Sequence, residues 1–398
     1  MAVDLSDPKS FHHAVPHEEF ERLRNEEPLS WTPTASGTAT GGFWSLTRAA
    51  DVAAASRDTQ TFTSTLGICY PSNYEESAMM VDNVMFNDPP EHAQVRKLAG
   101  AAFTPRMVAR FADWITERVD IILDGLEGRG ECDLVPLIAV ELPIQVICSV
   151  MGVPDEDRTR VVQWADEIFG REREDIGPER ATAATMAVMQ YAMELRAKNR
   201  DVQSDNMLGE LASFERDGVK ITDSQFMQMF MALLIAGFET THTLISQSFR
   251  LMLEQPEIAE QARVAITEGR SRALVDEFLR QVTPAMHMAR HATRDVEMHG
   301  KTIKKGDMVL LWFVSANRDA EVFTDPHTFN IDRRPNPHQA FGGGGPHFCI
   351  GAHLARLEVQ ILLERLVARD IRITSNGEPT RGWSTFINQL FALPVVCQ

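Results

Sequence analysis

The tract Phe341-Gly-Gly-Gly-Gly-Pro-His-Phe-Cys-Ile-Gly351 carries one cysteine behind four consecutive glycines and ahead of a helix start. Glycines let a backbone turn sharply or approach another group closely. Peptide N–H groups at a helix N-terminus favour a thiolate, so this spacing presents Cys349 as a single activated sulfur. Three fates are open to it: metal ligand, nucleophile, or the ordinary one of a lone cysteine, a small buried hydrophobe. A second group lies in Ala236-Gly237-Phe238-Glu239-Thr240-Thr241, where a small residue precedes an acid and an alcohol. Such a pair can relay protons into a dry pocket. Glu277 and Arg280 stand three residues apart, and His92 and Arg96 four apart, which places each pair on one helix face. Taken alone, each reads as a surface ion pair or a solvated face.

These groups need elements to hold them. Thr222-Asp-Ser-Gln225 has capping-box spacing, and no proline follows until Pro256. The spacing predicts a helix of about 33 residues, roughly 50 Å long, bearing Gly237, Glu239 and Thr240 at its middle. Apolar residues surround 227–237, so this helix is predicted to run through the centre of the fold. Further helices are expected at 18–27, 49–56, from the Asp88-Pro-Pro-Glu91 start onward, 107–127, 134–152 with a break near Pro143, 271–282 and 351–368. Strands are expected at 43–47, in a hairpin over 296–313, and in the last 30 residues. Residues 62–90 and 316–348 read as long structured loops. The expectation is one domain spanning 1–398, mainly α with a small β part (α+β).

Composition narrows the classes of function. The 398 residues carry 56 acids and 39 bases, a formal charge of −17, which argues against nucleic acid as the main partner. The five cysteines, at 69, 132, 148, 349 and 397, include no C-x-x-C pair. A disulfide framework and a structural zinc site are therefore not expected, and a reducing cytoplasm is. The N-terminus is polar and acidic, unlike a signal peptide, and the longest clean apolar run, Met229–Gly237, is nine residues. No membrane anchor is expected.

With the Phe-Gly-rich-His-x-Cys-x-Gly loop, the Ala-Gly-x-Glu-Thr-Thr helix and the Glu-x-x-Arg helix in this order, the sequence resembles the cytochrome P450 family, the haem-thiolate monooxygenases, over nearly its whole length. The resemblance implies the triangular-prism P450 fold, with haem b (iron protoporphyrin IX) between the long helix and the helix after Cys349. It implies that Cys349 is the iron ligand, a thiolate that favours O–O cleavage. Phe341 and the glycines through Gly351 would shape that loop, with N–H groups aimed at the sulfur. His92, Arg96, Arg290 and His347 match positions that neutralise the haem propionates. Glu239 and Thr240 match the proton-delivering pair, and Gly237 the small residue beside the oxygen site. Glu277 and Arg280, joined by Arg333, match a buried structural ion network.

Three departures stand out. Phe341 lies eight residues before Cys349, where seven is commoner; Phe238 follows Gly237 where a polar residue is frequent; Ala289 and His291 flank Arg290 where Arg and a small hydroxyl residue are common. Phe238 is expected to narrow or grease the pocket. Cys69, Met80, Met85, Leu233, Leu234, Phe238, Met286, Met288 and Phe386 are the expected pocket wall, nearly all apolar, for an apolar small-molecule substrate held by shape. In pattern the chain is nearest to bacterial hydroxylases of terpenoids, methyl-branched lipids and sterol side chains. No G-x-G-x-x-G follows a strand, so electrons are expected from a separate [2Fe-2S] or similar ferredoxin and its FAD-containing reductase. A basic docking patch is expected from Lys97, Arg106 and Arg356. The alternatives are a peroxide-driven haem-thiolate enzyme, against which the Glu239–Thr240 pair counts, and a non-catalytic haem protein that binds a ligand.

Overall fold

Thr222 starts the long helix as its spacing predicts. Gln225 donates its N–H to Thr222 Oγ1 (3.1 Å), Thr222 donates its own to Gln225 Oε1 (3.1 Å), and the helix runs Asp223–Glu254. The computed structural model describes residues 3–72, 77, 78, 80–100, 103–169, 176–199, 215, 216 and 219–398. Residues 73–76 and 79 of the 62–90 loop lie outside that set. By length and composition the long helix could cross a membrane, but 78% of its most apolar window is buried inside the protein. Helices Glu141–Met151, Gly177–Asn199 and Ser271–Val282 pack around it.

Two helix expectations change. The 134–152 segment is buried, yet it does not break at Pro143. Val135–Val140 winds as a wider π-helical stretch and Glu141–Met151 continues as α-helix. The wider turn upstream accommodates the proline ring and its missing N–H. The single helix expected over 107–127 divides into Pro105–Ala109 and Ala112–Asp124.

The expected hairpin is also shorter. Val296–Met298 pairs with Lys301–Ile303, but Met308–Leu311 leaves it for a five-stranded sheet. That sheet runs in the order Leu29–Pro33, Gly42–Leu46, Met308–Leu311, Met288–Ala292, Phe62–Thr63. Arg290 lies opposite Val309 in this register.

Helix Ser271–Val282 anchors the second long loop. Glu277 and Arg280 are both fully buried, joined by Arg280 Nη2 to Glu277 Oε1 (2.7 Å) and Nε to Oε2 (2.9 Å). Arg280 also donates to the carbonyls of Asn317 (2.9 Å), Pro326 (2.6 Å) and Thr328 (3.0 Å). Glu277 accepts from Asn330 N (2.9 Å) and Asn336 Nδ2 (3.1 Å), and Arg333 Nε stands 3.6 Å away. All three guanidinium nitrogens of Arg280 and both carboxylate oxygens of Glu277 thus meet a protein partner. Arg280→Ala leaves Glu277 buried without its cation and is expected to cost about 3–5 kcal/mol, seen as a fall in the denaturant midpoint. Arg22→Ala, which breaks only exposed helix pairs with Glu19 and Glu26, should leave that midpoint nearly unchanged.

Candidate functional site

Cys349 sits where the glycine loop meets helix Ala352–Ala368. Its N–H donates to Phe341 O (2.9 Å), and the Phe341 ring lies under the Arg356 guanidinium, 4.3 Å from its carbon. The glycines serve a contact that the sequence hides. A Cβ on Gly343 would lie 2.6 Å from Ser56 Oγ, and one on Gly345 (φ +82°) 2.7 Å from Ser56 O. The run therefore packs onto the last turn of helix Ala49–Arg57. The thiol is not activated by the helix start alone. Burial pushes its pKa up, and the Gly351 N–H, Arg96 and Arg356 only partly offset this. A bound cation at the sulfur is what would hold the thiolate.

Cys349 opens into one cavity with two facing walls. The long helix contributes Leu233, Ala236, Gly237, Thr240, Thr241 and Leu244; the helix after Cys349 contributes Leu354, Ala355 and Glu358. At 100° per residue the first set shares one arc of its helix. Phe238, Glu239 and His242 fall on the far flank. There Phe238 stacks on His242 (5.9 Å), and Glu239 Oε1 lies 3.6 Å from His242 Nδ1 with no hydrogen bond. Phe238 thus does not narrow the pocket, and Glu239 does not line it. Thr240 does, its Oγ1 donating to Ala236 O (2.7 Å). Gly237 touches the cavity, but its missing Cβ faces the neighbouring helix: a methyl there would lie 2.7 Å from Ile147 Cδ1.

The pocket expectations divide. Met85, Leu233 and Met288 line the cavity. Leu234 sits just past the arc in the main core, and Met286 packs in a separate cluster with Phe11 and Trp312. The regular strand begins only at Met288, so alternation does not carry back to Met286. Phe386 packs on His287 (5.3 Å), Ile68 lines the wall in place of Cys69, and Met80 is half-buried away from it. Ile68, Phe103, Ile147 and Thr241 were not anticipated; Thr241 had a signal, since it is one turn from Gly237. Glu358 was also missed. It interrupts an apolar stripe with Leu354 and Leu362, and burial pushes the pKa of its carboxyl well above the usual range.

A cationic cluster closes one side. His92 packs against His347 with its ring tilted (4.3 Å between centroids); His347 Nε2 lies 3.2 Å from Ser64 Oγ and 3.9 Å from Asp88. Arg96 donates to Phe348 O, beside Cys349. Arg290 lines the cavity, gives one hydrogen bond to Ala289 O (2.7 Å), and leaves its Nε unsatisfied; so does His92 its Nε2. Burial lowers the Arg290 pKa to about 10, which leaves it charged. For Asp88, burial alone would raise the pKa, but His347, Thr63 and Ser64 outweigh it and bring it to about 2. Burial, then His347 and Arg96, lower His92 to about 4. The expected basic patch is corrected at one position: Lys97 and Arg106 are exposed, but Arg356 is buried and paired with Asp276 (2.6 Å).

These residues fit a haem. No group of three His, Cys, Asp or Glu residues among the described ones could hold a metal ion, so an iron at Cys349 must bring its other ligands with it. The unsatisfied donors on Arg290 and His92 call for an anionic edge on the same group.

Comparison with known proteins agrees. The cytochrome P450 family model matches residues 157–369. A steroid C26-monooxygenase of Mycobacterium tuberculosis is 34% identical over 392 residues, covering 96% of this chain and 90% of the relative. A methyl-branched lipid omega-hydroxylase of the same organism is 33% identical over 384 residues, covering 94% and 90%. A Mycobacterium marinum cytochrome P450 in complex with pseudoionone superposes with a TM-score of 0.89 at 32% identity, covering 99% of this chain and 98% of that one. The chain belongs to the cytochrome P450 family: it has the P450 fold, and it is a monooxygenase-type oxidoreductase of the haem-thiolate class.

The histidine cluster makes a pH prediction for the haem-free protein. Between about pH 6.5 and 4 the unfolded His92 binds a proton and the folded one does not, so stability is expected to fall with pH across that window. Asp88 extends the loss from about pH 4 towards 2, where its folded form finally protonates. Equilibrium unfolding at stepped pH reads this; burial also lowers His287 to about 3 and His291 to about 4, so His92→Gln should lessen the slope of the upper window without abolishing it.

Proposed function

We propose that this cytochrome P450 inserts one oxygen atom from O2 into a C–H bond of an apolar small molecule with a branched aliphatic chain: a steroid side chain, a methyl-branched lipid or a terpenoid. The observation that carries the reading is the cavity itself, in which a lone Cys349 faces an apolar wall broken on the long-helix side only by Thr240 and Thr241. The named activities of the two curated relatives support the choice of substrate class. When bound, haem b supplies the redox centre at which O2 is activated.

The chain's own residues do the rest. Cys349 ligates the iron, and Phe341 O and the Gly351 N–H fix the sulfur's position. Arg96 and Arg290 would neutralise the propionates with His92 and His347 hydrogen-bonding beside them, and Asp88 orients His347. Ile68, Met85, Phe103 and Met288 exclude water and hold the substrate by shape. Thr240 Oγ1, now donating to Ala236 O, is the hydroxyl positioned to hold a proton at the oxygen side. Glu239, turned towards His242, recharges it from outside the cavity. Electrons come from a ferredoxin and its FAD-containing reductase, docking on the face that exposes Lys97 and Arg106.

The test is turnover with a surrogate ferredoxin system across steroids, methyl-branched fatty acids and terpenoids. A substrate-induced spin shift and a product carrying one atom of labelled oxygen are expected; product at a useful rate from peroxide alone would instead favour the peroxide-driven alternative. Thr240→Ala should keep the spin shift and divert most reducing equivalents to peroxide, a loss of coupling of about tenfold or more. Lys97→Glu with Arg106→Glu should slow the first electron transfer at low salt, and added salt should narrow the gap from wild type.

A further inference from the structure

A second cavity, of about 660 Å³, lies away from Cys349 and shares no lining residue with the first. It opens between the N-terminal segment around His17, the last turns of the long helix, and the 378–388 hairpin. Its charge runs against that of the whole chain. Three arginines line it, Arg250, Arg318 and Arg381, against two glutamates. Glu254 is already taken by Arg250, and Glu378 is exposed at the rim. Arg318 and Arg381 form no ion pair among the described residues.

Instead, neutral amides hold these arginines in place. Arg250 Nε donates to Gln247 Oε1 (2.6 Å). Gln247 Nε2 donates to Asn388 O (2.7 Å) and reaches Asn388 Oδ1 (3.2 Å). Arg381 Nη2 donates to that same Oδ1 (2.6 Å). Arg318 Nη2 donates to Gln281 Oε1 (2.7 Å) and Gln281 O (3.1 Å). Gln247 and Asn388 are buried, so the bridge Arg250–Gln247–Asn388–Arg381 is a fixed frame and not a chance surface contact. Burial and then the neighbouring arginines lower the pKa of Arg318 to about 9 and of Arg381 to about 10, so both stay charged at neutral pH. Arg318 and Arg381, gathered beside the Arg250–Glu254 pair without an ion-pair partner of their own among the described residues, cost free energy that a bound anion recovers.

We propose that this cavity is a second ligand site, taking a small organic oxyanion, a phosphate or a carboxylate, between Arg250 and Arg381. Guanidinium forks match both anions in geometry, and the volume leaves room for an organic portion beyond the anionic group. The site lies on the same long helix as Thr240, with Arg250 nearly three turns further along, and it needs no contact with the haem side.

The probes are inorganic phosphate and citrate, titrated into the haem-loaded full-length protein against potassium chloride at matched ionic strength. Calorimetry and thermal unfolding read the result. Phosphate or citrate should raise the unfolding temperature beyond the chloride control, as ligand linkage requires, and the stronger of the two identifies the anion class. Arg381→Gln should weaken binding by about tenfold or more, and Arg381→Lys by less. The carbon-monoxide difference spectrum of the variants should match wild type, which shows that they are folded and that the haem site is untouched. Equal stabilisation by chloride would overturn the proposal, as would unchanged anion affinity in folded Arg381→Gln and Arg250→Gln proteins.

Discussion

Everything in this fold that bears on chemistry depends on holding one thiol, Cys349, at the floor of a cavity where burial disfavours its ionised form. A sulfur in that position cannot drift. Its backbone is tied to Phe341 O, the Phe341 ring is covered by Arg356, and Arg356 is tied to Asp276 on helix Ser271–Val282. The next residue on that helix, Glu277, holds the loop that leads into the cysteine tract through Arg280, Asn330 and Asn336. Two adjacent carboxylates on one helix thus clamp both approaches to the sulfur. Asp276 secures the start of the following helix and Glu277 secures the preceding loop. At Glu277 and Arg280, both fully buried, low-dielectric surroundings make each bond stronger and each loss more costly, so that half of the clamp is the stiffer.

The residues that announced themselves in the sequence did so because their types are scarce and their spacing is local. Thr222-to-Gln225 capping, the Glu277–Arg280 pair and the cysteine tract each lie within one turn or one loop, and each is found where local geometry puts it. What stayed hidden needed long-range packing. No spacing rule says that Gly343 and Gly345 rest on Ser56, or that Gly237 exists for Ile147. The apolar wall was legible as a composition and not as a list of residues. A methionine such as Met286 suits a pocket or a core equally well, and only the point where the strand begins decides which. Arg356 misled for a similar reason: an arginine on a helix after an exposed loop reads as surface until Asp276 is brought to it from 80 residues away.

The position of Glu239 refines the acid–alcohol reading. Acid and alcohol are adjacent in sequence, but one step along a helix turns 100°. Thr240 therefore enters the cavity while Glu239 stays on the outer flank beside His242. The two cannot act as a pair of groups facing the same space. They can act in series, with the acid on the outer side of the helix and the hydroxyl on the inner, which keeps the carboxyl off the apolar wall of the chamber.

Buried groups without partners carry different meanings according to what they can do about it. A carboxyl can shed its charge by taking a proton, and burial pushes Glu358 that way, raising its pKa well above the usual range against the cavity. A guanidinium has no such exit. Arg290 falls only to about 10, and Arg318 and Arg381 to about 9 and about 10, so each remains a cation at neutral pH. An unpaired buried carboxyl is thus compatible with a resting structure, whereas an unpaired buried guanidinium marks a place for an anion. In the first cavity a haem, the cofactor of the family, would bring such an anion on its edge. The same reasoning applied to the second, where no family motif points, is what separates a designed binding frame from an accident of packing.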